Sequence, residues 1–496
     1  DNASLSSTAP LSLGTLATNG YDFKLANGTT DLTLANNFTL SSGKLSTQGG
    51  DLIFAGSANI SDNASLDATV ATGTAGKLEF KQGGTASGTI HAEKATFKLG
   101  ADYDVDGTLI TSSGTTWELG TSDLDLSGGE LLLGGNVVLD NIITDNQTRF
   151  KLNGENATVT RNQGFTLRAV DFTDYTFTLG SATTDVIFDL RGSSGGGSPK
   201  GTLATQNADF TILGTPEITT GTIISSTGGT FTFADGIKIN GSAISLQNTK
   251  LAVGSSLTKT GGTFALNQTD LELLSDLTLN SDAALAFTQL KLGNNHLNLQ
   301  SVPSFTVGQK LVLDNANEKL TWSDNTDVTL SGGVQLNTNG NLDWKKPENL
   351  DIGVITLNGG SLTIGDTSAQ TFELGSDIVL QADSAIKFNS GSTLKYAGSA
   401  LAVAKALTLE GNGQMKNTNV ALNISGATGK LNLSGVSLEG VITSANNSGL
   451  SITNNSTVTD LSVSNLTPVS IASGKNLSGS ITVNTGGTVQ LNAVGT

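Results

Sequence analysis

Apolar residues along this chain fall in short alternating triplets that begin at once: Leu11-Ser12-Leu13, Phe23-Lys24-Leu25, Leu32-Thr33-Leu34, Phe38-Thr39-Leu40 and Leu52-Ile53-Phe54. Alternation of period two marks a β-strand with one buried face. Between the triplets lie ANG, SSG, QGG and AGS, each able to reverse the chain within a few residues. The triplets recur roughly every 8 to 14 positions, too close for helices between them.

One stretch, WSDNTDVTLSGGV at 322–334, is written three times, and each version carries one of the three tryptophans. After Trp344 the VTLSGG core returns as ITLNGG at 355–360, with 345–349 read as an inserted loop. After Trp117 it returns as Leu126-Ser127-Gly128-Gly129. A related corner, Thr-Gly-Gly-Thr before Phe or Val, occurs at 227–231, 260–264 and 485–489. A fixed unit with optional insertions at one corner predicts a solenoid.

The expected fold is therefore all-β: a right-handed parallel β-helix (β-solenoid), one elongated body over 1–496. Coils of two or three strands and about 20 to 30 residues would give roughly 17 to 25 turns in a rod on the order of 80 to 120 Å. The competing reading, tandem sandwiches built on Leu-x-Gly-Gly hairpins, would place an aromatic core roughly every 100 residues, whereas Trp322 and Trp344 sit one short repeat apart. The segment at 192–200, GSSGGGSPK, reads as a loop or junction. Asn and Thr at the corners predict hydrogen-bonded ladders from coil to coil. The C-terminal SITVNTGGTVQLNAVGT stops in mid-pattern, as a fragment of a longer chain or a covered end would.

Composition narrows the function classes. Sixty-one glycines against six prolines suit many tight turns. A net charge of −17 would repel phosphate backbones, which disfavours nucleic acid as a partner. No cysteine is present, so stability must come from backbone ladders and stacked side chains. No apolar stretch is long enough for a membrane helix, and no membrane insertion by this segment is expected. Asp1 reads as a processed end.

Candidate chemistry is sparse. Asp102, Asp104, Asp106 and Gly107 in DYDVDGTLI resemble the first half of an EF-hand calcium loop, although position twelve is Ser113 rather than Glu. On a strand the three carboxylates share one side and Tyr103 and Val105 the other, which a plain wet outer face also requires. Asp123 and Asp125 repeat that pattern more weakly. The four arginines, Arg149, Arg161, Arg168 and Arg191, fall in one 43-residue window with Lys151 among them, a candidate patch for an anionic glycan. Asp171, Asp174, Asp185 and Asp189 are interspersed and could pair with them. The two histidines, His91 and His296, lie far apart without motif context, and Asn325-Thr326-Asp327 lacks the companions of a pectin-type hydrolase site.

With the LxLxxGGxL units, short turns, missing cysteine and acidic Ser/Thr/Asn/Gly-rich surface, the chain resembles the passenger region of a Gram-negative autotransporter or a related two-partner-secreted adhesin. The resemblance implies an exported protein at the bacterial surface, engaged in adhesion, aggregation or biofilm building. Its partners would be host or bacterial surface glycans or proteins, or other copies of itself. A self-assembling extracellular filament subunit is the structural alternative, and a β-helical polysaccharide lyase or hydrolase the catalytic one. No cofactor is expected apart from the calcium candidate.

Overall fold

The computed structural model describes the chain except residues 1, 26–29, 70–75, 162–163, 172–173, 181–185, 192–200, 324, 346–349, 426–427, 445–448, 464–465, 484–488 and 494–496. The loop read at 192–200, Asp185 and most of the insertion at 345–349 fall outside the described residues. Among those described there is no helix, and parallel strands stack into a β-solenoid of about 20 turns. Ala400 to Leu407, Ala-rich and open to a helical reading, is strand at Leu401–Val403 and Ala406–Gly411.

The chain divides into two compact units, Asp1–Ala252 with Thr260–Asn267, and Val253–Lys259 with Gln268–Thr496. In the first, the turns up to Glu118 contribute three short strands to three sheets, and the following turns contain the long strands Glu130–Val138 and Arg149–Thr160. Leu32–Leu34, Leu52–Phe54, Lys77–Phe80, Thr96–Leu99 and Thr116–Glu118 stack in one of those sheets. Register follows the apolar positions: Leu32 aligns with Leu52, Leu52 with Leu78, Leu78 with Phe97 and Phe97 with Trp117. A slip of one residue would turn every inward side chain outward, so the alternation fixes the register. In the second unit the turns also begin with three strands. Later, long strands such as Gln414–Ile424 and Ser437–Ser444 alternate with shorter ones such as Lys430–Ser434, leaving two strands per turn.

Stacking aligned apolar positions builds a continuous core. Phe54 and Phe80 stack with centroids 5.1 Å apart, Phe80 meets Phe97 at 5.7 Å and Tyr103 at 4.2 Å, and Phe97 meets Trp117 at 5.7 Å. A second run joins Phe188, Phe210, Phe231 and Phe233 at 4.5, 5.1 and 5.0 Å. The buried Tyr103 hydroxyl donates to the Ala58 carbonyl at 3.1 Å, and burial pushes its pKa upward.

The repeated Gly-Gly corner has two physical reasons, one for each glycine. Gly128, Gly333 and Gly359 adopt φ of 84°, 82° and 94°, which side chains disfavour. Their companions Gly129, Gly332 and Gly360 sit so close to the neighbouring turn that a Cβ would lie 2.2, 2.2 and 2.5 Å from its backbone. The ladder aligns the repeats differently from their spelling: Leu357 pairs with Leu336, and Leu330 with Ile352.

Candidate functional site

The strand Tyr103–Val105 alternates as its sequence requires: Tyr103 and Val105 are buried, Asp104 is half-buried, and Asp102 and Asp106 are exposed. Asp102 turns to its neighbour, its Oδ1 accepting the Asp123 N–H at 2.9 Å. Asp104 aligns with Asp125 one turn on. Burial, and then the like charges of Asp106 and Asp125, push its pKa upward. Among the described residues no three acidic or histidine side chains converge as a metal would require, and Asp102, Asp104 and Asp106 do not form such a cluster. Gly107, which an EF-hand would need for its sharp turn, is explained by packing: a Cβ there would lie 2.0 Å from the Gly88 carbonyl oxygen.

The four arginines separate. Arg191 clasps Asp189 through Nε and Nη2 at 3.0 and 2.9 Å, and that contact holds the Asp189 carboxyl below its usual range. Arg161 is 92% buried, its guanidinium 5.6 Å from the Phe165 ring centroid, with Nε and Nη1 lacking hydrogen-bond partners. Burial lowers its pKa, and the charge of Asp140 opposes that shift. Arg149 and Arg168 do meet, in a groove of about 330 Å³ on the first unit.

This groove is where the two candidate clusters come together. Its floor is Gly107, Gly128 and Gly129, and its walls carry Asp106, Thr108, Glu130, Gln147, Arg149 and Arg168. Thr108, Glu130 and Arg149 occupy one column on successive turns. The glycine corner sets the climb: Gly88, Gly107 and Gly129 carbonyls accept the N–H groups of Thr108, Glu130 and Arg149 at 3.0, 2.8 and 3.0 Å. Arg168 Nη1 donates to Gln147 Oε1 at 2.5 Å. Asp145 braces the rim, accepting N–H groups from Gln147 at 2.8 Å, Thr148 at 2.9 Å and Gly128 at 3.2 Å. Burial raises the Asp145 pKa, but these donors outweigh it and the net shift is downward. Two acids and two bases line the groove, so it offers paired contacts of both signs rather than a purely basic patch.

A larger groove, about 700 Å³, lies on the second unit and was not anticipated. Asn341, Ser361, Thr363, Lys387, Thr408 and Glu410 line it across four stacked strands. Ser361 and Thr363 both donate to Asn341 Oδ1 at 2.9 Å, and Lys387 pairs with Glu410 at 3.4 Å. The signal was present as small or polar residues at outward positions of consecutive turns, with Gly359, Gly360, Ala385 and Ala406 keeping the surface low.

Elsewhere the charged side chains join one turn to the next. Asp31, Asp51, Asp209, Asp276, Asp377 and Asp383 accept the N–H groups of Asp51, Lys77, Thr230, His296, Ser399 and Ala406 at 3.1, 2.9, 2.6, 2.8, 2.7 and 2.8 Å. Lys98 bridges Glu79 and Glu118 at 3.5 and 3.7 Å, and Lys395 reaches Glu373 at 2.8 Å. The expected amide ladder is present where Asn358 Nδ2 donates to Asn337 Oδ1 at 2.7 Å. His296 is half-buried, its Nε2 2.7 Å from Thr321 Oγ1, and burial lowers its pKa.

No family model, no curated protein and no solved structure matches this chain. No helix among the described residues is long and apolar enough to cross a membrane.

Proposed function

We propose that the chain is an extracellular structural and adhesive protein of the bacterial surface, its solenoid presenting grooved polar faces to glycans or proteins. The observation that carries this reading is the use made of its charges. Asp, Asn, Glu and Lys side chains step from turn to turn as supports, while open grooves lie across the stacked strands. Such a body holds ligand-facing side chains at the roughly 4.8 Å spacing of its strands, suited to repeating polymers.

The groove around Arg149 and Arg168 is the proposed contact for an anionic glycan, its arginines reaching carboxylate or sulfate groups and its acids accepting from hydroxyls. Immobilised lipopolysaccharide and anionic polysaccharides, probed with the purified chain, test it. Saturable binding weakened about tenfold by the R149A/R168A double variant is the expected result. Binding unchanged in that variant removes the groove, and no saturable binding to any glycan or cell surface removes the adhesive reading.

Stacking of copies into a filament is a second reading. Leu11 and Leu13 are half-exposed in the first unit, and Ile481 and Val483 are 36% and 46% exposed in the second. Another copy stacked on such strands would cover them. Light scattering across a concentration series separates the two readings.

A further inference from the structure

One sheet of the first unit stops where its neighbours continue. Thr96, Thr116 and Asn136 follow one another at steps of 20 residues, the length of one turn. Thr116–Glu118 pairs below with Thr96–Leu99, yet it is the last strand of its sheet. The segment one turn on is the end of the strand Glu130–Val138. Its residues Asn136, Val137 and Val138 pair only away from Thr116–Glu118, with Thr158, Val159 and Thr160. The chain climbs by a full turn here, but the ladder is skipped.

A cleft of about 420 Å³ lies in the gap, lined by Thr115, Thr116, Trp117, Asn136, Val138 and Asp140 among others. In a parallel ladder, alternate residues direct their main-chain groups to opposite sides. The Thr116 N–H bonds downward to the Ala95 carbonyl at 3.0 Å, so the Trp117 N–H and C=O face the cleft. The Trp117 indole Nε1 is buried without a hydrogen-bond partner. Val138, on the opposite wall, is 57% exposed.

We propose that this cleft is a strand-addition site for an extended peptide segment of a partner protein. Two strand edges face each other across it, and an extended polypeptide carries N–H and C=O groups on both sides at the spacing those edges need. The cleft of about 420 Å³ has room for two residues of strand, each about 3.3 Å long, 4.8 Å wide and 10 Å thick, or roughly 160 Å³. Trp117, which lines the cleft and is held against Phe97 at 5.7 Å, gives the inserted segment an apolar floor. The site is independent of the glycan groove and stands whether or not that groove binds sugar.

The test uses the full chain with Trp322→Phe and Trp344→Phe, which leaves Trp117 as the only tryptophan. The probe is a synthetic peptide copying residues 93–101, whose strand already pairs with Thr116–Glu118 from below. A saturable shift of Trp117 emission and slowed exchange of the Trp117 amide are expected. The same peptide N-methylated at alternate amides should bind about tenfold more weakly, because it lacks the donors. Main-chain recognition tolerates sequence, so no saturable change up to about 1 mM peptide overturns the proposal. Equal binding of the N-methylated peptide overturns it as well, by pointing to a side-chain or sugar site instead.

Discussion

Asp145 ties the stability of the solenoid to the geometry of its groove. Its carboxylate receives three main-chain N–H groups and the Thr148 hydroxyl, the last at 3.0 Å. Two of the residues it holds, Gly128 and Gln147, line the groove, and Gln147 is the partner of Arg168. All four donors meet one oxygen, Oδ1, which Asp145→Ala removes. A hydrogen bond to a charged group contributes about 1.5–3 kcal/mol, but exposed amides recover water, so a local loss of about 2 kcal/mol is expected. Asp145→Asn keeps one acceptor oxygen and should cost about half as much.

A chain of stacked turns need not unfold in one step, so the effect is best read locally, by amide hydrogen exchange. About 2 kcal/mol corresponds to roughly 30-fold faster exchange at Gln147 and Thr148 in the Asp145→Ala variant. The neighbouring strand Ile142–Ile143 serves as the control. The pH dependence has a definite sign. The folded carboxyl pKa lies below its ordinary value near 3.8, so this stabilisation is present above that value and is lost as pH falls through the folded one. After correction for intrinsic exchange, protection in the parent should fall on acidification below about pH 4, while the alanine variant shows no such fall. Equal exchange in variant and parent at neutral pH would refute the bracing role.

Two further perturbations address the core and the carboxylate strand. Phe80, fully buried against Phe54, Phe97 and Tyr103, should lose about 3–5 kcal/mol as Phe80→Ala and much less as Phe80→Leu, measured by denaturant titration. Asp104→Asn should raise stability at pH 7 by about 0.2–1 kcal/mol, because it removes a like-charge neighbour of Asp125. Since the Asp104 pKa is raised on folding, that gain should fade as pH falls through the folded value and be gone below the unfolded value near 3.8. A rise in melting temperature with millimolar calcium that Asp104→Asn abolishes would instead restore the three aspartates as a metal site.

The parallel solenoid was legible because its signal is local and repeated. Leu32-Thr33-Leu34 and Leu52-Ile53-Phe54 each state one buried face, and the structure buries Leu32, Leu34, Leu52 and Phe54 while leaving Thr33 and Ile53 half-exposed. The alignment of turns was less legible. Matching VTLSGG to ITLNGG ties Leu330 to Leu357, but the ladder shifts by one strand and pairs Leu357 with Leu336. Every turn has several interchangeable Leu-x-Leu strands, so spelling alone cannot say which two are stacked; hydrogen bonding between turns decides it.

Site residues were legible only where parity could be followed. Tyr103 and Val105 inward with Asp104 outward comes directly from alternation. The same rule, carried through Ala157, Val159 and Arg161, places Arg161 on the inward side, where the structure buries it, so it could not belong to an exposed patch. Arg149 and Arg168 meet because the glycine corner advances the chain by one turn between Glu130 and Arg149, a relation between turns that spacing along the chain does not express. The cleft at Trp117 lies further still from any local signal. Its strand reads like the others, and the turn that fails to pair above it is a property of the ladder and not of the triplet. In a solenoid, then, periodicity announces the scaffold, and binding sites are to be sought where one turn departs from the ladder that its neighbours keep.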